Sequence, residues 1–306
     1  MARFAALMVV LSSVIWATGG PVIKILLGYG LTENEIFFSK ALFCVISIVI
    51  FDMLLRKKVS KIKNKTDLVL LLLCGVVGYL FYGMFYGYAV RRIPISVAVV
   101  LVYTAPALVT LFSAVFFKEK LTMVKRMCLL LIMLGCILVT GVFNEGLVTL
   151  SFTGVLWGLA SGICFAVYSI TSSVLMKKYD VWTVTTYNFL FSLIAISFMV
   201  DIPQVLGKVF TNGTLLLTCI YFAVFCGTIS NLVYVKAMEN ISASTAAMIT
   251  TIEPTTTCII GFIFFKEEIN VFKIIGVALI VGAVIRLNHN KVVADVQNIS
   301  EEENLS

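Results

Sequence analysis

Residues 88–121 read YAVRRIPISVAVVLVYTAPALVTLFSAVFFKEKL, and residues 236–269 read KAMENISASTAAMITTIEPTTTCIIGFIFFKEEI. A shift of 148 residues lays one over the other without a gap. Identical pairs include Ala89 with Ala237, Ser96 with Ser244, Ala98 with Ala246 and Pro106 with Pro254. The run Phe116, Phe117, Lys118 and Glu119 falls on Phe264, Phe265, Lys266 and Glu267. Apolar composition yields chance matches, but it does not place a proline and a Phe-Phe-Lys-Glu corner in register. The same shift pairs Phe4 with Phe152, Ser13 with Ser161, Phe43 with Phe191, Asn64 with Asn212 and Tyr86 with Tyr234. The duplication therefore runs through the whole chain.

Both copies are built of apolar runs. Of 306 residues, 60% are hydrophobic and 13% charged, where a soluble domain carries about 25% charged residues. The missing polar surface implies lipid as solvent. A spanning helix needs about 20 apolar residues, and runs of that kind fall at 4–27, 35–55, 68–89, 95–117 and 127–143, then at 153–176, 183–200, 214–236, 243–265 and 273–287. The first is too long for a cleaved signal sequence and is interrupted by Lys24. The expectation is an all-α integral membrane protein with ten transmembrane helices. Residues 1–143 form the first repeat, 152–287 the second, and 288–306 a disordered polar tail.

A repeat with an odd number of spans must enter the membrane from opposite sides in its two copies. Basic residues test this, because they gather on the cytoplasmic side. With the N-terminus inside, the inner segments hold sixteen Lys and Arg and the outer loops five. The six between Arg56 and Lys65 face only Lys208 in the matching stretch. Both termini are expected in the cytoplasm, in a cell (inner or plasma) membrane. The formal charge of +7 is then a topology signal, and nucleic acid is not an expected partner. Inverted repeats support alternating access, because each half can adopt the other's shape.

Several chemistries are excluded or disfavoured. The eight cysteines lie in apolar runs without a CxxC pair, and His289 is the single histidine, so neither a zinc site nor a disulfide framework is indicated. No Gly-rich phosphate loop is present. No cofactor or metal is expected. An intramembrane enzyme would need paired catalytic groups at depth, and Glu253 has no obvious acidic partner in the sequence.

The candidate site is assembled from residues that lipid disfavours. A charge at mid-bilayer costs ~2.5–3.5 kcal/mol on insertion scales, and Glu253 falls at the centre of the ninth run. It is read as a proton site, as a partner for a substrate ammonium, or as a donor to a carbonyl near Pro254. Lys24 and Lys40 lie in the outer thirds of the first two runs; they either line a cavity or snorkel outward and pair with Glu33 and Glu35. Pro106 and Pro254 each free a carbonyl four residues earlier, at Val102 and Thr250, and matching midplane interruptions point to a site between repeats. Trp16, Tyr82, Tyr86, Tyr103, Tyr168, Asn231, Tyr234 and Thr250 complete the candidate substrate-binding set, as aromatic walls with a few polar groups. Helix packing or an interfacial belt accounts for aromatic residues equally simply, above all for Tyr79 and Tyr88. Glycines spaced by four (Gly154, Gly158, Gly162; Gly83, Gly87) are packing surfaces.

The twin TAP…FFKEK and IEP…FFKEE motifs, with Trp16 and Lys24 in the first run, Lys40 early in the second and glycines at 135, 141, 276 and 282, resemble the drug/metabolite transporter superfamily and its ten-helix EamA-type members. The resemblance covers residues 4–287. It implies a secondary active or facilitative transporter that exports amino acids or related metabolites, with a small-molecule substrate. A nucleotide-sugar or lipid-precursor carrier of the same fold is the nearest alternative, and would call for more cationic residues than Lys24 and Lys40. A receptor or enzyme is a more distant one. Lys40 stands where an arginine is common, which removes the bidentate fork a carboxylate clamp would use. The sequence leaves the oligomeric state open.

Overall fold

The computed structural model describes residues 2–57, 59–93, 95–116, 122–139, 151–265 and 271–286. Among these residues every regular element is helical. Five helices are long and apolar enough to cross a membrane, and six if one sharply bent pair is taken together. The FFKEK and FFKEE corners and the tail lie outside the described residues.

Helices α1 (Ala2–Trp16) and α2 (Gly19–Gly28) make one apolar span broken at Ala17 and Thr18. The break has a local cause, because Pro21 offers no N–H to the Ala17 carbonyl. Helix α3 (Glu33–Leu54) opens on a capping box, in which Thr32 accepts from the Glu35 N–H and the Glu35 carboxylate accepts from the Thr32 N–H at 2.7 Å. Helix α4 (Lys65–Arg92) starts on Asn64, whose Oδ1 accepts from the Asp67 N–H at 2.8 Å.

Mid-way, α4 widens into a π-helical segment, Leu73–Phe81. Gly75 and Gly78 lie in it, and α8 (Phe152–Leu175) and α9 (Val181–Ser197) press against them. A methyl at Gly78 would stand 2.7 Å from Tyr168 Cα, and one at Gly75 2.8 Å from the Asn188 carbonyl oxygen. The small residues thus bring backbones together where lipid supplies no hydrophobic drive. Helix α11 (Gly213–Ala237) carries the matching π segment, Val224–Ile229, which ends 148 residues after the first.

A second pair of irregularities matches to within one residue. Helices α5 (Ile95–Val102) and α6 (Ala105–Phe116) are separated at Tyr103 and Thr104. Helices α12 (Ala243–Ile249) and α13 (Ile252–Phe265) are separated at Thr250 and Thr251. Pro106 and Pro254 each fall in the first turn of the restarted helix, where a missing N–H costs nothing. The sequence reading placed these prolines inside continuous helices; the chain instead ends one helix and begins another. Helix α7 (Met123–Val139) and a helix over 271–286, α14, complete the described elements.

Between α9 and α11 runs α10 (Ile202–Thr211), turned 110° from α9. The sequence reading left this stretch as a connection. Asp201 caps it, Pro203 sits in its first turn, and Val205 and Val209 bury one face. A short helix lying across the end of a span, with one face apolar, suits the membrane interface.

Among the helix packings are α1 with α11, α4 with α8, α3 with α9 and α6 with α12, and α8 also packs on α5 and α6 and α3 on α11. Outward-facing side chains such as Leu130, Leu134, Ile194, Leu217 and Ile285 are large, apolar and exposed, as lipid contact requires. Polar side chains concentrate inside instead: Ser12, Ser161, Ser169, Ser192, Thr228 and Asn231 are buried.

Candidate functional site

One cavity, open at one side, is walled by α1, α2, α3, α4, α8, α11 and α13. Trp16, Lys40, Tyr82, Tyr86, Tyr168, Asn231 and Glu253, all expected from the sequence, line it. They come from segments far apart in the chain, so the cavity exists only in the folded helix assembly.

The breaks and π segments place these groups. Trp16 ends α1 and lies against Phe165 and Tyr234, with ring centroids 6.1 and 5.1 Å away. Gly19 and Ile23 extend the wall from α2. Gly83 lets the Phe37 ring of α3 lie against α4, since any Cβ there would overlap that ring. Cys226 lies in the π segment of α11, and Asn231 one turn beyond it.

Lys40 projects from α3 among aromatic faces. Its Nζ stands 4.4 Å from the centroid of Phe222, 5.3 Å from that of Tyr79 and 5.7 Å from that of Phe37. Each such contact is worth ~0.5–2 kcal/mol. The carboxylates suggested by the sequence as its partners are engaged elsewhere. Glu33 holds Arg91 at 2.9 Å, and Glu35, fixed by the capping box, holds Lys208 at 2.7 Å. Lys24 pairs with neither; it is exposed on α2, outside the cavity.

Glu253 enters from the first turn of α13. Its Oε2 is 2.8 Å from the Tyr103 hydroxyl, which is also 2.9 Å from the Thr250 carbonyl. Tyr103 and Thr250 are buried behind the cavity wall rather than on it. The Thr250 hydroxyl donates to the Ala247 carbonyl at 2.7 Å, closing the end of α12. Tyr234 is likewise a second layer. It stacks on Tyr168 at 6.1 Å, and its hydroxyl meets Ser169 at 3.0 Å. Tyr168 donates to Asn231 Oδ1 at 2.7 Å, and the Asn231 amide donates to the Gly227 carbonyl at 2.5 Å. This chain of bonds ties α8 to the π segment of α11 and fixes the cavity floor.

Sequence reasoning missed several lining groups. Phe37, Phe165 and Phe222 were not singled out, and Tyr79, which shares a helix stripe with Tyr82 and Tyr86, was left between cavity and packing, yet each faces the cavity. A signal existed for Tyr79, since it stands one turn from Tyr82 on the same helix. Nothing in the sequence separates the three phenylalanines from lipid-facing ones.

A many-helix membrane protein with an aromatic-walled cavity bearing a lysine and a carboxyl group has the form of a solute carrier. The comparisons agree. The EamA-like transporter family matches residues 3–141 and again 152–288, and the chain belongs to that family. It is a multi-pass membrane transporter of small molecules and not an enzyme. An uncharacterized transporter of Clostridium kluyveri is 23% identical over 269 residues, covering 84% of this chain and 85% of the relative. The pseudopaline exporter CntI of Pseudomonas aeruginosa is 27% identical over 239 residues, covering 78% and 81%. One crystal structure aligns with a TM-score of 0.71 over 93% of this chain and 96% of its own, at 18% identity, a likeness of fold alone.

Proposed function

We propose that the protein is a secondary active or facilitative exporter of amino acids or related small metabolites, working by alternating access between two inverted five-helix halves, 1–143 and 152–287. The observation that carries the substrate class is the placement of Lys40 and Glu253 in one aromatic cavity. A solute with an anionic and a cationic end meets both groups, and its apolar part meets rings. The relative CntI, an exporter by name, supports the direction.

Three features support two halves and ten spans. The family matches the chain twice. The breaks at 103–104 and 250–251 fall within one residue of the 148-residue shift, and the two π segments end at it. The pairings also exchange into one another: the first span with the eighth becomes the sixth with the third, and the second with the seventh and fourth with ninth map onto themselves. The basic count supports both termini in the cytoplasm.

The test is counterflow in proteoliposomes of purified protein, screened over amino acids, their decarboxylated amines, their N-acetyl acids, nucleosides and nucleotide sugars. Zwitterions exchanging faster than either singly charged analogue support the reading. Nucleotide sugars exchanging in their place overturn it.

A further inference from the structure

Two helix breaks meet at a single hydroxyl group. Tyr103 occupies the break between α5 and α6, and Thr250 the break between α12 and α13. The Tyr103 Oη lies 2.9 Å from the Thr250 carbonyl oxygen and 2.8 Å from Glu253 Oε2. That carbonyl is the one Pro254 leaves without its helical donor. The Glu253 N–H reaches one of its lone pairs at 2.9 Å; the phenol serves the other.

A phenol has one proton to donate, and a backbone carbonyl can only accept. If Glu253 is ionised, both neighbours of the phenol oxygen are acceptors competing for that proton, in a place where Tyr103 and Thr250 are buried. If Glu253 is protonated, its carboxyl donates to Tyr103 and Tyr103 donates to Thr250. Every group is then satisfied, and the chain of bonds polarises in one direction.

We propose that Glu253 binds a proton during the transport cycle, and that Tyr103 is the positioning residue through which this proton controls the helix break at Thr250. The proposal rests on the transporter reading and resolves the role of its carboxyl group. In the arrangement described, Glu253 holds the proton. When its O–H bond breaks, the proton passes to water or a solute amine in the cavity. Tyr103 keeps its own proton but turns it from Thr250 to the new carboxylate. The Thr250 carbonyl then retains only the Glu253 N–H, and the junction of α12 and α13 loses its tie to the junction of α5 and α6. One proton is thus exchanged for the freedom of two broken helices to move apart.

The groups that share this field are few. Tyr82 and Tyr86 of α4 and Cys226 of α11 line the same cavity as Glu253, and Tyr103 at the α5–α6 junction bonds it. Lys40 on α3 is the one other charged side chain lining the cavity among the described residues. Its ammonium is the group whose pairing with a solute anion alters the field at Glu253. The first half has Ala105 at the position matching Glu253, so the proton site belongs to one half only.

Difference infrared spectroscopy of the purified protein in lipid nanodiscs, titrated from acid to alkaline pH without solute, reads the protonated carboxyl directly. The parent is expected to show a carboxylic-acid band that vanishes as pH rises. Glu253→Gln lacks that band, and Tyr103→Phe moves it to higher frequency because its hydrogen-bond acceptor is gone. Glu253→Asp, which withdraws the carboxyl from Tyr103, gives the same direction of shift and serves if Tyr103→Phe does not fold. A second readout is counterflow, in which Tyr103→Phe is expected to flatten the pH profile at least tenfold. An absent Glu253-dependent band, or one that neither variant moves, overturns the proposal. Because the infrared titration needs no solute, that result beside intact counterflow removes the proton site alone. A normal titration beside absent counterflow for every solute removes the transport reading instead.

Discussion

Lys40→Met separates the stability of the fold from its use. An ammonium taken from water into a protein interior carries a penalty of several kcal/mol even after relaxation. No carboxylate offsets it within ion-pair distance among the described residues, and the three ring contacts at 4.4, 5.3 and 5.7 Å return ~0.5–2 kcal/mol each. Penalty and return are of similar size, so the lysine adds little to stability. Methionine fills nearly the same volume, lies well against aromatic rings and removes the charge. The variant is therefore expected to melt within about 1 kcal/mol of the parent, or above it, a window typical of volume-conserving apolar exchange. Transport should behave oppositely. A hydrogen bond to a charged group contributes ~1.5–3 kcal/mol, so half-saturation for a carboxylate-bearing solute should rise roughly 10- to 100-fold. The decarboxylated amine should be little affected. Thermal unfolding followed by size exclusion, with counterflow of the acid and amine forms side by side, makes the comparison. Equal loss for both solutes, or a strongly destabilised variant, would refute the assignment of Lys40 as the anion-facing group.

Gly78→Val should destabilise by ~1–3 kcal/mol, because its Cβ would stand 2.7 Å from the Tyr168 backbone; unfolding temperature and expression report it. Pro106→Ala and Pro254→Ala each supply the missing N–H and let the helix run through its break, so transport should fall more than expression does, as counterflow normalised to purified protein measures. Asp67→Asn removes the charge that accepts from Lys178 at 2.7 Å and Tyr179 at 2.9 Å, a clasp between segments matched separately by the family. A cysteine introduced at Ser60, whose N–H bonds Thr183 at 2.9 Å, should then label faster. Cysteines placed in 56–65 should be closed to impermeant reagent outside intact cells and those in 201–212 open, and the reverse pattern would invert the proposed topology.

The all-helical membrane character was legible because lipid imposes a length and a composition that few other structures share, although five or six helices among the described residues, against ten expected, are long and apolar enough to span. The matching of residues 88–121 with 236–269 was legible because prolines and charged corners are rare in such runs and their register carries information. What the sequence concealed follows from the same physics. A phenylalanine on an apolar helix looks alike whether lipid, another helix or a cavity covers it, so Phe37, Phe165 and Phe222 were missed. The π segments leave almost no trace beyond Gly75, Gly78 and Gly227. Helix α10 did announce itself through Asp201, Pro203 and the spacing of Val205 and Val209, but it is too short to pass as a span. The pairing of Glu35 depended on Lys208, a residue 173 positions away, and only the folded chain reveals it.

The two halves share a scaffold but divide the chemistry. At matching positions the first half places Tyr103 where the second has Thr251, and Ala105 where the second has Glu253. The hydroxyl of one break therefore reaches across to the carboxyl and the carbonyl of the other. Two identical breaks would present two hydroxyls or two carboxyls to each other, and two buried carboxyls would repel whenever both ionised. Divergence at two positions replaces that conflict with a donor facing acceptors. A like divergence holds elsewhere in the cavity wall, where Lys40 corresponds to Asn188, whose backbone packs against Gly75 and which does not line the cavity. Duplication accounts for the paired breaks and the exchangeable packing. The asymmetry of Lys40, Tyr103 and Glu253 would, on the proposed reading, orient the cavity, with an anion-facing wall from the first half and a proton-bearing wall from the second.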